Sequence, residues 1–410
     1  MTTEQVKRKI QRYINYYHMA RAAGAATYYG NPSKSLNVIG VTGTDGKTTT
    51  TYLVYHILKS AGKRTSMLSS VYAKVGEKEY DTGLHMTTPD ATLVQKLLKS
   101  AVTHGDEYFV LETTSHAFDQ NRNWGIHYKV GVITNITPEH LDYHKTYENY
   151  LKTKAKLLLR SDVSFVNHDD GSFEPLSKFA NEHGVDIKTY GIDTPSDYQR
   201  DFKREFGMDI TDFNNYNYLA AYSVCRSLGL TDEVIIAALR TFMLPKGRMD
   251  VIYDKSFTVI IDFAHTANSF EQLLSHLKKK TTGRLIHVFG AAGLRDAEKR
   301  PHMGLVSAKY ADVMVVTEED YRTEDPHVIA DSITSEIPDR EKRIKDGTLI
   351  VNLHRDSAVK RAIAMARKDD IVVLTGKSHE KSLCRGAVEE PWDEYKQALQ
   401  AITHRKNKKI

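Results

Sequence analysis

Short apolar runs recur along this chain, and stretches of helical periodicity separate most of them. The first series is Asn37–Val41, Tyr108–Leu111, Val130–Thr134 and Val163–Val166. After Gly247 the pattern restarts with Phe257–Ile261, Leu285–Phe289, Val313–Val316, Leu349–Val351 and Ile371–Leu374. Runs of this length read as strands buried on both faces, and a helix between successive strands is what a parallel crossover needs. The pattern therefore predicts largely parallel sheets with helices on both sides, built twice. Leu244-Pro245-Lys246-Gly247-Arg248 is the expected boundary, because Pro and Gly interrupt a helical run there. Domains are expected over 36–246 and 247–410, after an N-terminal extension over 1–35.

With 410 residues, 40% hydrophobic and 27% charged, the chain has ample core for two such domains. No run approaches the roughly 18 apolar residues of a membrane span. Met1 to Ile10 is polar and basic, without the apolar segment of a secretory signal. Two cysteines, Cys225 and Cys384, cannot build a disulfide framework or a zinc ribbon, and a reducing cytoplasm is the expected location. The net charge of +5, from 57 basic and 52 acidic residues, is too small to argue for nucleic acid. In the extension, Val6, Ile10, Tyr13, Ile14 and Tyr17 recur at helical spacing, with Lys7, Arg8, Lys9 and Arg12 between them. This amphipathic helix is expected to pack on the main domain; the alternative is a peripheral membrane contact. No obligate protein partner is expected.

The most specific segment runs Gly40-Val41-Thr42-Gly43-Thr44-Asp45-Gly46-Lys47-Thr48-Thr49. A strand enters it and a helical run leaves it. Glycines let backbone N–H groups turn toward an anion, and the helix N-terminus favours negative charge. Lys47 would reach the outer phosphates of a nucleotide and Thr48 would bind Mg²⁺. The spacing is non-standard: a GxxxxGK[ST] loop needs glycine where Val41 stands. The alternative is a purely structural loop.

Two further segments follow strand ends, where ligands bind in open parallel sheets. Tyr108 to Leu111 leads into Glu112-Thr113-Thr114-Ser115-His116, which offers a carboxylate for a nucleotide's Mg²⁺ or, alternatively, a helix cap. Thr134-Asn135-Ile136-Thr137-Pro138 leads into Glu139-His140-Leu141-Asp142-Tyr143-His144, an ionisable cluster that packing rarely needs. The second series adds Asp262-Phe263-Ala264-His265-Thr266 and Gly290-Ala291-Ala292-Gly293-Leu294-Arg295-Asp296 with Lys299 and Arg300. The latter suits an anionic group or a solvated helix start. Gly376-Lys377-Ser378-His379-Glu380 closes another strand.

Together with Thr87-Thr88-Pro89-Asp90 and Gly247-Arg248-Met249, these motifs resemble the Mur ligase family, in the branch that adds the third amino acid to the peptidoglycan stem peptide. The resemblance runs from about Leu36 to Tyr395. It implies a P-loop-type central ATPase domain with a mostly parallel sheet, plus a Rossmann-like C-terminal α/β domain. It also implies an ATP-dependent ligase: a peptide carboxylate is phosphorylated to an acyl phosphate, which an amino-acid amine then attacks.

By the same resemblance the catalytic set is Lys47, Glu112, His140 and Lys154. Thr48, Glu112, His140 and Lys154 would hold Mg²⁺, with Lys154 carbamylated; a carbamate supplies anionic oxygen, and forming it requires a neutral amine. The nucleotide would meet Gly43, Thr44, Asp45, Gly46, Lys47, Thr48, Thr49, Asn214, Asn217, Arg248, Asp262 and His265. Thr87, Thr88, Thr114, Gln120 and Arg122 would hold the muramoyl-peptide. Arg295, Asp320, Arg322, Gly376 and Glu380 would line the pocket of the incoming amino acid.

Departures from the family pattern matter. Only about 35 residues precede the phosphate loop, too few for the family's uridine-nucleotide domain. Asp45 replaces Asn, Pro138-Glu139 replaces Arg-Asp, and Ala267 replaces Pro. The Asp-Asn-Pro-Arg specificity motif reads Glu319-Asp320-Tyr321-Arg322. The Arg322 fork can take a distal carboxylate, which favours meso-diaminopimelate over lysine; the charge on Asp320 argues the other way. Open alternatives are an acceptor without UDP or carried on a lipid, and a nucleotide-binding scaffold without turnover.

Overall fold

The computed structural model of the chain describes residues 3–82 and 88–407. It divides into two compact units, one of Met1–Pro138 with His144–Met243 and one of Glu139–Tyr143 with Leu244–Ile410.

The first unit holds strands β1 (Asn37–Thr42), β2 (Thr65–Leu68), β3 (Ala73–Val75), β4 (Lys78–Tyr80), β5 (Tyr108–Glu112), β6 (Tyr128–Ile133), β7 (Ser161–Asn167), β8 (Ile187–Gly191) and β9 (Tyr198–Gln199). They form one sheet in the order β4-β3-β2-β5-β1-β6-β7-β8-β9. All neighbours are parallel except β3 and β4, which add an antiparallel edge. Val38 faces one apolar layer with Phe109 and Leu111, while Ile39 and Val41 face the other with Leu53 and Leu219. Burial on both faces is why these strands read as unbroken apolar runs. β1 lies between β5 and β6, pairing Val41 with Glu112 and Thr42 with Ile133. The strand order reverses at β1, so the loops leaving these three strands emerge side by side at a switch point.

The second unit holds β10 (Asp250–Asp254), β11 (Thr258–Asp262), β12 (Leu285–Phe289), β13 (Val313–Val316), β14 (Leu349–Val351) and β15 (Ile371–Thr375) in the order β10-β11-β15-β12-β13-β14. Only β10 is antiparallel. A separate hairpin, β16 (Ser382–Arg385) and β17 (Val388–Pro391), reaches back to the loop after β13 through a bridge between Arg322 and Arg385.

The expected α/β class is therefore what is seen. The strands absent from the sequence reading are β2, β3, β4, β8, β9, β10 and the hairpin. Most are edge or near-edge strands with polar faces, such as Lys78-Glu79-Tyr80, so apolar runs do not mark them.

The N-terminal segment is a helix, Thr3–Tyr28, but its packing face differs from the expected one. Ala22, Ala25 and Ala26 are buried, whereas Tyr13, Tyr16 and Tyr17 are half or more exposed. Small side chains let the helix approach the helix Ala91–His104 closely. Asn15 donates to Asp119 at 3.0 Å, a polar anchor beside the alanine face. The Val6 and Ile10 side chains lie outside the described residues.

Candidate active site

The loop after β1 is pinned from below by the end of β6. Thr44 N donates to Asn135 O at 2.8 Å, and Asp45 N to the Asn135 side chain at 2.9 Å. Thr134 Oγ1 donates to Asp45 O at 2.6 Å. Gly43 passes so close to Thr134 that a Cβ there would lie 1.9 Å from its hydroxyl. Gly46 has φ 81° and caps the helix Lys47–Ser60. A Cβ on it would lie 2.3 Å from Asn217 Oδ1. Asn217 in turn bonds Asn214 at 3.0 Å and Thr50 at 3.3 Å. Thus Asn217, on the helix Asp212–Ser227, meets the loop directly, and Asn214 is seen only behind it, bonded to Asn217. Lys47 Nζ reaches back to Thr44 O at 2.6 Å, so the ammonium lies over the loop itself.

At the strand ends, Thr48 Oγ1 donates to Glu112 Oε1 at 3.0 Å and lies 2.9 Å from Ser70 Oγ. Ser70 N donates to Glu112 Oε2 at 2.9 Å. Two hydroxyls and a buried carboxylate form a hard-oxygen set that suits Mg²⁺. Ser70 was missed in the sequence because β2, whose end carries it, was not recognised. Among the described residues no cluster of three His, Cys, Asp or Glu side chains is poised for a metal, so any such ion would lean on hydroxyl and non-protein oxygens.

Lys154, on the helix Tyr147–Ala155, is buried, with Nζ 2.5 Å from Gly43 O and 4.7 Å from the Tyr150 ring centre. Its neighbour Lys152 is exposed and pairs with Glu148 at 2.6 Å. The plain surface-lysine reading of Lys154 therefore fails, since the helix turns this one side chain toward the phosphate loop. Tyr150 OH also lies 3.1 Å from Thr44 Oγ1. His144 lies 3.0 Å from Ser115 Oγ; burial, the largest influence, pushes it down to about 4, so it is neutral at pH 7.

Of the expected peptide-binding residues, Thr88 and Arg122 are brought together: Arg122 Nη1 donates to Thr88 O at 2.7 Å and its fork grips Gln120 Oε1 at 2.9 and 2.6 Å. Thr114 N donates to Thr88 Oγ1 at 3.2 Å, and the Thr114 side chain caps the helix Ser115–Asp119. Thr87 lies outside the described residues.

In the second unit the Glu139–Tyr143 segment meets the end of β11. Glu139 is buried, 3.6 Å from His265 Nε2, 3.7 Å from Lys299 Nζ and 3.7 Å from His140 Nε2. Burial alone would raise its carboxyl, but the charges of His140, His265 and Lys299 hold it well below the usual range. Asp262 accepts from Met249 N at 2.8 Å and Ala264 N at 2.7 Å, so its oxygens tie its own loop to the segment before β10; burial raises its pKa against those bonds. Arg248 stacks over the Phe263 ring at 4.6 Å. In the basic loop Arg300 is buried and paired with Glu324 at 2.6 and 2.8 Å, which makes it structural, while Arg295 is exposed. Arg322 Nη1 donates to Gly293 O at 2.7 Å. Asp320 and Glu380 both meet Lys377, a residue outside the expected set.

Residues 41–225 match the Mur ligase middle domain and residues 247–378 match the Mur ligase, glutamate ligase domain. A UDP-N-acetylmuramoyl-L-alanyl-D-glutamate--2,6-diaminopimelate ligase of Aquifex aeolicus (strain VF5) is 38% identical over 379 residues, covering 88% of this chain and 76% of that protein. A UDP-N-acetylmuramyl-tripeptide synthetase of Roseiflexus sp. (strain RS-1) is 36% identical over 419 residues, covering 94% and 82%. A solved structure of a UDP-N-acetylmuramoyl-L-alanyl-D-glutamate--2,6-diaminopimelate ligase superposes with a TM-score of 0.58 at 27% identity, over 90% of this chain and 79% of that one.

Proposed function

Because the chain belongs to the Mur ligase family, whose members are ATP-dependent ligases forming peptide bonds, we propose that it joins meso-diaminopimelate to the glutamate of UDP-N-acetylmuramoyl-L-alanyl-D-glutamate. The observation that carries the site is the oxygen set of Thr48, Ser70 and Glu112 beside the Lys47 loop, at the switch point of the first sheet. The choice of substrate rests on the activity in the relatives' names and on Arg322.

In this reading the backbone N–H groups of Gly43 to Thr49 and the Lys47 ammonium hold the phosphates, and Asn214 and Asn217 serve the nucleotide from the helix Asp212–Ser227. An acceptor carboxylate oxygen attacks the γ-phosphorus, the bond to ADP breaks, and an acyl phosphate forms. The amine of the incoming amino acid then attacks the carbonyl carbon, loses a proton, and inorganic phosphate leaves with the electron pair of the broken C–O bond. Negative charge grows on the transferred phosphoryl group and on the tetrahedral oxygen, so fixed cations in a preorganised loop lower both barriers. Mg²⁺, when bound by Thr48, Ser70 and Glu112, would supply further positive charge there. A carbamate on Lys154 would serve a second ion. Thr88, Thr114, Gln120 and Arg122 orient the peptide.

The test is phosphate release from ATP and Mg²⁺ with UDP-N-acetylmuramoyl-L-alanyl-D-glutamate and a panel of amino acids. Release that requires both the acceptor and meso-diaminopimelate is expected, with Glu112→Gln slowing it by about 10²-fold or more. No release with any amino acid on that acceptor would refute the substrate, and full activity in Glu112→Gln would refute the site.

A further inference from the structure

The loop after β13 carries Asp320 and Arg322, and the turn after β15 carries Lys377 and Glu380. Lys377 is fully buried. Its Nζ lies 2.8 Å from Asp320 Oδ1 and 2.5 Å from Glu380 Oε2. Asp320 Oδ1 also accepts from Cys384 N at 2.9 Å, and Arg322 N donates to Cys384 O at 3.1 Å. The Asp320 carboxylate is thus built into a clamp between this loop and the β16 strand. Only the backbone half of that clamp needs an oxygen at this position; the half facing Lys377 needs a negative charge. Burial alone would lower the lysine's pKa, but Glu380 and Asp320 outweigh it and keep the amine protonated.

This arrangement resolves the conflict in the sequence. Read alone, Asp320 and Glu380 would present two negative charges to an incoming side chain and favour an ammonium. A buried cation placed between them cancels much of that field, because opposite charges in a low-dielectric site are strongly coupled. Arg322 has φ 53°, and its Nη1 donates to Asp320 O at 3.3 Å on its own loop and to Gly293 O at 2.7 Å on the loop after β12, so its fork is held beside Asp320. We propose that Lys377 is a specificity-determining residue: it sequesters the carboxylates of Asp320 and Glu380, so that the pocket selects through Arg322 for an amino acid with a distal carboxylate. The proposal rests on the assignment of this loop to the amino-acid pocket. Lys377 acts through its neighbours and is a positioning residue, with no contact to substrate required.

The experiment measures kcat/KM of the full chain for meso-diaminopimelate, L-lysine, L-ornithine and L-glutamate, with the KM for ATP as a control. Lys377→Met is expected to move the ratio of acidic to basic amino acids toward the basic ones by about tenfold or more, one unit of about 1.4 kcal/mol, with the KM for ATP unchanged. Asp320→Asn removes one of the negative charges that the lysine offsets and is expected to move that ratio the other way, toward the acidic amino acids. The double variant Asp320→Asn with Lys377→Met should recover part of the acidic preference. Equal losses for all four amino acids in Lys377→Met would overturn the proposal. So would a shift toward basic substrates, or none, in Asp320→Asn, which decides the matter if Lys377→Met does not fold. A wild-type enzyme that prefers a basic amino acid would defeat the substrate reading while the shift in Lys377→Met still tests the lysine.

Discussion

Replacing Gly46 with alanine should damage nucleotide binding through two separable effects. The first is backbone strain: at φ 81° an alanine is in the left-handed region, which costs ~1–2 kcal/mol. The second is a collision, since the new Cβ would sit 2.3 Å from Asn217 Oδ1 and backbone on one side leaves the asparagine as the group that yields. Moving Asn217 breaks its bonds to Asn214 and Thr50, each worth ~1 kcal/mol net at most. The sum is about 3 kcal/mol, or ~150-fold in affinity. Asn217→Ala alone removes the same two hydrogen bonds, ~2 kcal/mol, and should weaken binding by about 30-fold. In the double variant the collision disappears while the strain stays. Binding should therefore be about 30-fold tighter than the product of the two single effects, a coupling of ~2 kcal/mol. Calorimetric titration of Mg·ADP into the four proteins measures this directly. Strict additivity would show that the asparagine does not set the limit at Gly46, and wild-type affinity in Gly46→Ala would show that the loop does not need its observed geometry.

Lys154→Gln should reduce turnover by at least about 10²-fold, whereas the exposed Lys152→Gln should stay within about threefold; labelled CO₂ trapped on wild-type protein but not on Lys154→Gln would identify the carbamate by mass spectrometry. His287 is fully buried between Ser307 Oγ at 2.9 Å and Thr375 Oγ1 at 3.0 Å, and burial, with Arg355 second, pushes it down to about 3. Its folded pKa lies below the unfolded value of 6.5, so the unfolded state binds the extra proton: stability is complete above about pH 6.5 and falls between there and pH 3, with a slope of up to ~1.4 kcal/mol per pH unit. Acid denaturation of His287→Gln followed by tryptophan fluorescence should show a shallower slope in that window; an identical slope would remove His287 as its source. On the N-terminal helix, Ala26→Leu should cost ~1–3 kcal/mol in urea unfolding by overpacking, and Tyr17→Ser should stay within ~0.5 kcal/mol; the reverse order would mean that the tyrosine face is the packed one.

The double α/β architecture and the glycine-dependent loop after β1 were legible because both leave local marks. Strands buried on two faces must be apolar throughout, and a loop packed this closely against Thr134 and Asn217 must have glycine at Gly43 and Gly46. The same reasoning failed where the determinant was not local. β2 is short and its Thr65-Ser66 entry is polar, so it carries no apolar run, and Ser70 at its end was lost with it. The periodic tyrosines of the first helix suggested a buried stripe, yet their rings are too large for the close approach that Ala22, Ala25 and Ala26 allow. Propensity and spacing describe a helix; which side it buries depends on the surface it meets. Arg300 shows the converse: a run of Arg, Lys and Arg looks like an anion site, but one member is consumed by Glu324 from 24 positions away.

Asp320 and Lys377 carry that lesson furthest, since 57 positions separate them in the chain. In sequence, an aspartate in a specificity loop is a negative charge awaiting an ammonium, and a lysine in a Gly-Lys-Ser-His-Glu turn is a cation awaiting phosphate. Parallel strands β13 and β15 both end at the same edge of the second sheet, with β12 between them, so the two residues meet and each cancels what the other would have recognised. A motif in a parallel sheet therefore has to be judged with the loops that leave the neighbouring strands, because those loops, rather than adjacent residues, set the charge a substrate encounters. On that view Lys377 is the residue to mutate first: the loss of Arg322 removes the distal-carboxylate contact itself, whereas the loss of Lys377 changes the field around that contact.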